Sequence, residues 1–355
     1  MATHPAEKPC ARSMPANPWR EPVRTAACRH PRRCTYHQRS PLETAAIDPQ
    51  EQDDVNPLRF DAPPAGPHVH HVRRHLPPML IEDPRVLAAI RVIEAGFPDE
   101  PTLAGLAAQT RLSPFHFHRL FADVMGETVN GYVRRIRMDT AAILLLASPL
   151  AAQDVAAAVG YGSLAAFNHA FRRQFGLPPT RYRELARAAV IDITPDDLQR
   201  ARRVRVETQL PLSLVGARFH GSYDQAEDYW LRFAALLHNH GIEPDGLAAY
   251  ALIRDNPEIT PNGLIRYFCM VADPGIPDPL PAPLERFAVQ PGRYACLRHD
   301  GPYAGIFPVY FAISPVWLNK HGERFGMAPA MERYEAPPWR NVGGEQSVTV
   351  MIKLL

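Results

Sequence analysis

Glu332, in the run APAMERYEAP, is the acid of this chain best placed for unusual chemistry, because it falls in a stretch that reads as a central strand near several aromatic residues. A carboxylate facing an apolar groove loses hydration, which raises its pKa unless a cation stabilises the charged form. Tyr223, Tyr229, Trp230, Tyr250, Tyr303, Tyr310, Trp317 and Tyr334 could line such a groove. An aromatic cage around one carboxylate suits an organic cation. The plainer reading stands beside it: any of these rings can simply pack a core, and Glu332 can be an exposed strand residue.

A second set of side chains repeats at an offset of 50 residues: Ser113 matches Ser163, Phe117 matches Phe167, Phe121 matches Phe171 and Gly126 matches Gly176. Each Ser suits a helix N-cap, and Pro114 suits the first helical position. Helical spacing puts Phe117, Leu120, Phe121 and Val124 on one face and Phe115, His118, Arg119 and Ala122 on the next. In the second copy Phe167, Ala170 and Phe171 face inward, leaving Ala165, Asn168, His169 and Arg172 to be presented. A short helix lies upstream of each, LAGLAAQT or AQDVAAAV, joined by the tight turns RL and GYG. Short helix, tight turn and capped second helix make a helix-turn-helix arrangement. A pair of ordinary packed hairpins is the alternative, and the duplication weighs against it.

These elements belong to a chain of 355 residues, more than one core usually serves. Residues 1–78 hold fourteen prolines and little apolar periodicity, so disorder is expected there, with Met79 a plausible natural start. Cys28, His30, Cys34 and His37 match no standard zinc spacing, and no metal or cofactor is expected. Five cysteines so placed describe no disulfide framework. No apolar run approaches the roughly 18 residues of a membrane span, and the reading is cytoplasmic, with no membrane partner. Residues 79–190 read as helical throughout, 191–205 as a charged linker, and 206–355 as mixed strands and helices. The last segment repeats at about 80 residues, HGSY at 220–223 being answered by HDGPY at 299–303, and each half reads strand, helix, strand, strand. Two such halves are expected to pair about a pseudo-twofold axis with a groove between them.

The runs SPFHFHRLFADVMGETVNGYVRRIRM and AAAVGYGSLAAFNHAFRRQFGLPPTRYR resemble the DNA-binding domain of the AraC/XylS family of transcription regulators. The resemblance implies double-stranded DNA as a partner, with RNA polymerase a further one. It makes Phe115, His118, Arg119, Leu164, Ala165, Asn168 and His169 the base-facing candidates, and Arg172, Arg173, Arg181 and Arg183 candidates for the phosphates. Arg119 suits guanine and Asn168 adenine, whereas Leu164 and Ala165 offer apolar contact to a thymine methyl. Reading helices in successive major grooves, about 34 Å apart, would let a monomer bind; the oligomeric state stays open.

The runs YALIRDNPEITP, IRYFCMVA, VQPGRYACLRHDGPYAGIFPVYFAISPVWL and PAMERYEAPP resemble the GyrI-like effector-binding domain. That resemblance implies a small, lipophilic or cationic effector on Glu332, with Tyr223, Tyr250, Tyr303, Tyr310, Trp317 and Tyr334 as further ligand-binding candidates, and Met331 altering the ligand's shape. The fold class expected is multidomain: an all-α double helix-turn-helix domain, then an α+β domain of duplicated strand-helix-strand-strand units. A hydrolase using Glu332 with Tyr303 or Tyr223 on a small electrophile is an alternative, and a protein-binding module is another. No nucleophile elbow or phosphate loop favours an enzyme, so none is expected.

Overall fold

The computed structural model describes residues 79–95, 101–189, 193–326, 328–341 and 343–355. The expectations for 1–78, including the Cys/His cluster, lie outside the described residues.

After strand β1 (Met79–Leu80), α1 (Pro84–Ala95) buries Val86, Leu87, Ala89, Ile90 and Ile93, the stripe its spacing dictates. Helix α2 (Leu103–Thr110) starts at Thr102, whose hydroxyl accepts the Gly105 amide at 3.1 Å. In α3 (Pro114–Met125) and, further on, α6 (Leu164–Phe175), Ser113 Oγ accepts from the His116 amide at 3.3 Å and Ser163 Oγ from the Ala166 amide at 3.2 Å. Gly126 and Gly176 end these helices at φ 71° and 74°, where a Cβ would be strained. The turns before them differ: α2 ends on Arg111 at φ 56° two residues before Ser113, while α5 (Ala152–Ala158) is followed by Gly160 at φ 79°, three before Ser163.

Between the two units runs α4 (Val129–Ala147), 19 residues and so about 28 Å long. Its first half, with Val129, Tyr132, Val133 and Ile136, joins the core of Phe117 and Phe121. Its second half, from Met138 to Leu145, joins that of Phe167, Phe171 and Tyr182, the last on α7 (Pro179–Ala189). One continuous helix thus carries both cores.

From residue 193 onward the stretch read as a linker is structured. Thr194 and Asp197 form a reciprocal capping box that starts α8 (Pro195–Ala201), and Ala201 and Val204 are buried in the following domain's core. That domain comprises β2 (Arg205–Gln209), β3 (Leu212–His220), α9 (Ala226–Asn239), β4 (Ala249–Ile253), β5 (Arg266–Ala272), β6 (Glu285–Val289) and β7 (Gly292–Gly301). There follow α10 (Phe307–Phe311), a π-helical stretch over Ala312–Leu318, α11 (Asn319–His321), β8 (Ala330–Tyr334) and β9 (Gln346–Lys353).

Among the described residues nine strands form one sheet, in the order β1-β3-β5-β4-β8-β9-β7-β2, with β6 also on β3. The central β3-β5-β4 and β8-β9-β7 are the duplicated halves in mirrored order. They meet antiparallel, with Ala251 opposite Glu332, so the halves form one continuous sheet where a groove between two sheets was expected. Side chains alternate between the faces. Val215, Ala217, Phe219, Cys269 and Val350 face α9 and the broken α10 segment; Phe268, Met270, Met331 and Met351 face the other way.

Candidate nucleic-acid interface and candidate ligand site

Over their first eight residues helices α3 and α6 bury and expose the same positions. Phe117 and Phe167 have no exposed surface, His118 and Asn168 are half-buried, and Arg119 and His169 are exposed. Phe115 is 67% exposed, a large apolar ring in water, and the Arg119 guanidinium lies 6.0 Å from its centroid. Leu164 is 39% exposed, and Ala165, Arg172 and Arg173 are also on the surface. The residues singled out on these two helices therefore all retain solvent access. Arg183 is used otherwise: its Nε donates to the Leu145 carbonyl at 2.9 Å, tying α7 to α4. Arg181 is exposed and pairs with Glu184 at 3.0 Å.

The second site centres on Glu332, 1% exposed. Tyr310 donates to its Oε1 at 2.9 Å, Tyr334 to Oε2 at 3.0 Å, Tyr303 to both oxygens at 3.1 Å, and Tyr267 to Oε2 at 3.4 Å. Register explains the convergence. Glu332 pairs with Ala251, and Ala251 with Cys269, so Tyr267, two residues before Cys269, and Tyr334, two after Glu332, share its face. The small side chain of Ala251 leaves room for the phenols. Tyr303 and Tyr310 come from the opposite layer, on the turn before α10 and on α10 itself. The helix there widens into the π-helical stretch, an irregularity often found at functional sites.

Burial pushes Glu332 up to about 7, against the hydrogen bonds of Tyr310, Tyr334, Tyr303 and Tyr267, which favour its charged form. Burial and the carboxylate together raise Tyr303 and Tyr310 well above the usual phenol range. A shallow recess of about 10 Å³, room for a single water, lies against Tyr303, Tyr334 and Trp230, with Glu227 beside them; Glu332 lies behind the phenols and does not line it. The arrangement is a carboxyl group buried behind a ring of phenol donors.

Tyr223 stands at the edge of this cluster. Its ring meets Tyr267 edge-on at 5.9 Å and Phe307 at 5.8 Å, and its hydroxyl donates to the Asp255 carbonyl at 2.7 Å. Three expectations change. Tyr250 pairs with Arg333, next to Glu332, and so points to the opposite face, into the cluster of Met270 and Met331. Met331 points the same way and cannot shape a ligand held on Glu332. Trp317 packs within the helical layer, stacked on His321 at 4.7 Å. Tyr267, not singled out from the sequence, sits inside the apolar run RYFCMVA, where it reads as core; only its register with Ala251 and Glu332 reveals it.

A paired helix-turn-helix domain and a duplicated α+β domain built around a buried carboxyl group define a two-module protein. The helix-turn-helix domain family matches residues 106–185, and the GyrI-like small molecule binding domain family matches 202–354. The HTH-type transcriptional regulator AlkR of Acinetobacter baylyi is 38% identical over 102 residues, covering 28% of this chain and 33% of AlkR. The transcriptional regulator Rob of Salmonella typhimurium is 31% identical over 101 residues, covering 28% and 35%. The C-terminal domain of AraT, a response regulator from Geobacillus stearothermophilus, is 31% identical, covering 28% of this chain and 84% of that structure, with a TM-score of 0.28. The chain spans about a third of the length of AlkR and Rob. It carries an AraC-type helix-turn-helix domain followed by a GyrI-like domain. The hydrolase alternative gains no support from these relatives. Among the described residues no helix is long and apolar enough to cross a membrane.

Proposed function

We propose that the chain is a DNA-binding transcription regulator, not an enzyme, whose GyrI-like domain binds a small lipophilic or cationic effector on Glu332. The matched, solvent-facing surfaces of α3 and α6 at the two ends of α4 carry the reading. Arg119 reads guanine, Asn168 reads adenine, and Phe115, Leu164 and Ala165 supply apolar contact; His118 and His169 donate to bases or phosphates. Arg172 and Arg173 hold the backbone of the duplex. Because both reading helices lie in one chain, a monomer suffices for a bipartite site, and RNA polymerase is the partner through which bound protein acts. The effector is held by Glu332 with Tyr267, Tyr303, Tyr310 and Tyr334, and Tyr223 is at its margin.

Selection of duplexes from a random pool by the full-length chain tests this. Arg119→Ala should weaken the best duplex by about 1–3 kcal/mol and relax one position of the site. An unchanged affinity and consensus would remove α3 as a reading helix.

A further inference from the structure

One carboxylate at the meeting of the two domains gathers several partners. Glu94, in the last turn of α1, receives Arg218 of β3 at 2.7 Å and Arg266 of β5 at 2.9 Å, with Arg254 at 3.9 Å. Its own domain contributes Tyr132 of α4, which donates at 3.0 Å. Burial opposes its ionisation, but the three guanidiniums outweigh this and hold Glu94 well below the usual carboxylate range. The strand ahead of the helical domain crosses the same seam: β1 pairs with the end of β3, while Ile81 is already in the helical core.

Arg266 turns its other edge to Asp255, with Nη2 at 2.6 Å and Nε at 2.9 Å. The Asp255 carbonyl is what Tyr223 bonds, and the Tyr223 ring rests on Tyr267, a donor to Glu332. The loop that starts here reaches α4 again, where Thr260 donates to Asp139 at 2.8 Å and Ile259 packs against the second unit's core. Tyr132 and Asp139 are seven residues apart, so two turns of one α4 face are gripped. Arg135 of the same α4 face adds an ion pair to Asp139 at 3.5 Å, both groups nearly fully buried.

We infer that this seam is the coupling element: rearrangement of Tyr267 and Tyr223 around Glu332 passes through Asp255 and Arg266 to Glu94, and through Thr260 to Asp139, resetting how α1 and α4 are held. The inference rests on Glu332 being the effector site. Hydrogen–deuterium exchange of the full-length chain tests the relay without an effector. Tyr223→Phe removes the bond to Asp255 and keeps the ring. Faster exchange is expected in 254–265, in the last turn of α1 and in α4 around 132–139, with α9 unchanged. Faster exchange confined to 254–265 would overturn the inference. Thr260→Val, which keeps the side chain's shape and removes the second arm's hydrogen bond, should loosen α4; wild-type exchange there would count equally against it. On a duplex selected by the full-length chain, Tyr223→Phe and Glu94→Gln should each change affinity by about threefold or more, and the double variant by less than their product. Strict multiplicativity would contradict a shared route. Failure of the wild-type chain to select any duplex would defeat the regulator reading and leave the exchange result to judge the relay.

Discussion

Replacing Glu332 by Gln should make the protein more stable at neutral and alkaline pH. A carboxyl that titrates near 7 in the fold and near 4.5 when free keeps its proton over that interval while the unfolded chain has lost it. The native state then binds more protons, so stability falls as pH rises through the window and levels off above about 7. The size of the displacement corresponds to roughly 3 kcal/mol. In the Glu332→Gln variant the amide oxygen accepts from the phenols on one side, the NH2 donates to phenol oxygens turned round on the other, and no charge is carried at any pH, so the variant should lack this slope. Some of the gain is lost because a neutral amide accepts less strongly than a carboxylate, leaving about 1–3 kcal/mol in favour of Glu332→Gln at pH 8 and near equality at pH 4.5. Urea unfolding followed by tryptophan fluorescence reports on the right domain: Trp230, whose ring lies 5.0 Å from Tyr334, Trp317 and Trp339 lie in its core, residues 79–189 contain no tryptophan, and Trp19 is the fourth in the chain. A stability difference independent of pH, or a variant that weakens as pH rises in parallel with the wild type, would refute the reasoning. It would mean the carboxylate is hydrated or already neutralised.

Arg111→Gly should stabilise the helical domain by about 0.5 kcal/mol, because an L-residue at φ 56° is strained by more than Gly loses in chain entropy; an unchanged thermal midpoint would show that the turn relaxes. Gly216→Ala should destabilise by about 1–3 kcal/mol, since its Cβ would stand 2.5 Å from the Cys269 carbonyl oxygen and 2.4 Å from Met270 Cγ; a wild-type urea midpoint would show that β3 and β5 can part.

The helical domain was legible because its signals are local. Ser113 and Ser163 cap, Phe117, Phe121, Phe167 and Phe171 recur at helical spacing, and Gly126 and Gly176 terminate, each within a dozen residues. Glu332 was legible as an acid among aromatics, and so were three of its donors, Tyr303, Tyr310 and Tyr334. What failed depends on register. Tyr250 and Tyr267 both lie in aromatic-bearing strands, and a one-residue difference in phase sends Tyr250 away from Glu332 and brings Tyr267 to it. Helix α8 was hidden by its charge, although Thr194 and Asp197 spell a capping box at the start of the supposed linker. The seam at Glu94 has no local signal, because its partners Arg218 and Arg266 come from 124 and 172 residues away.

The most direct measurement is the affinity of the full-length chain for its best selected duplex as a function of salt. A protein holding phosphates with Arg172, Arg173 and their neighbours, and reading bases from both α3 and α6, should select a site of two parts about one helical turn apart, with affinity falling steeply as salt rises. Binding without sequence preference, or a selected site that is single and insensitive to salt, would contradict it.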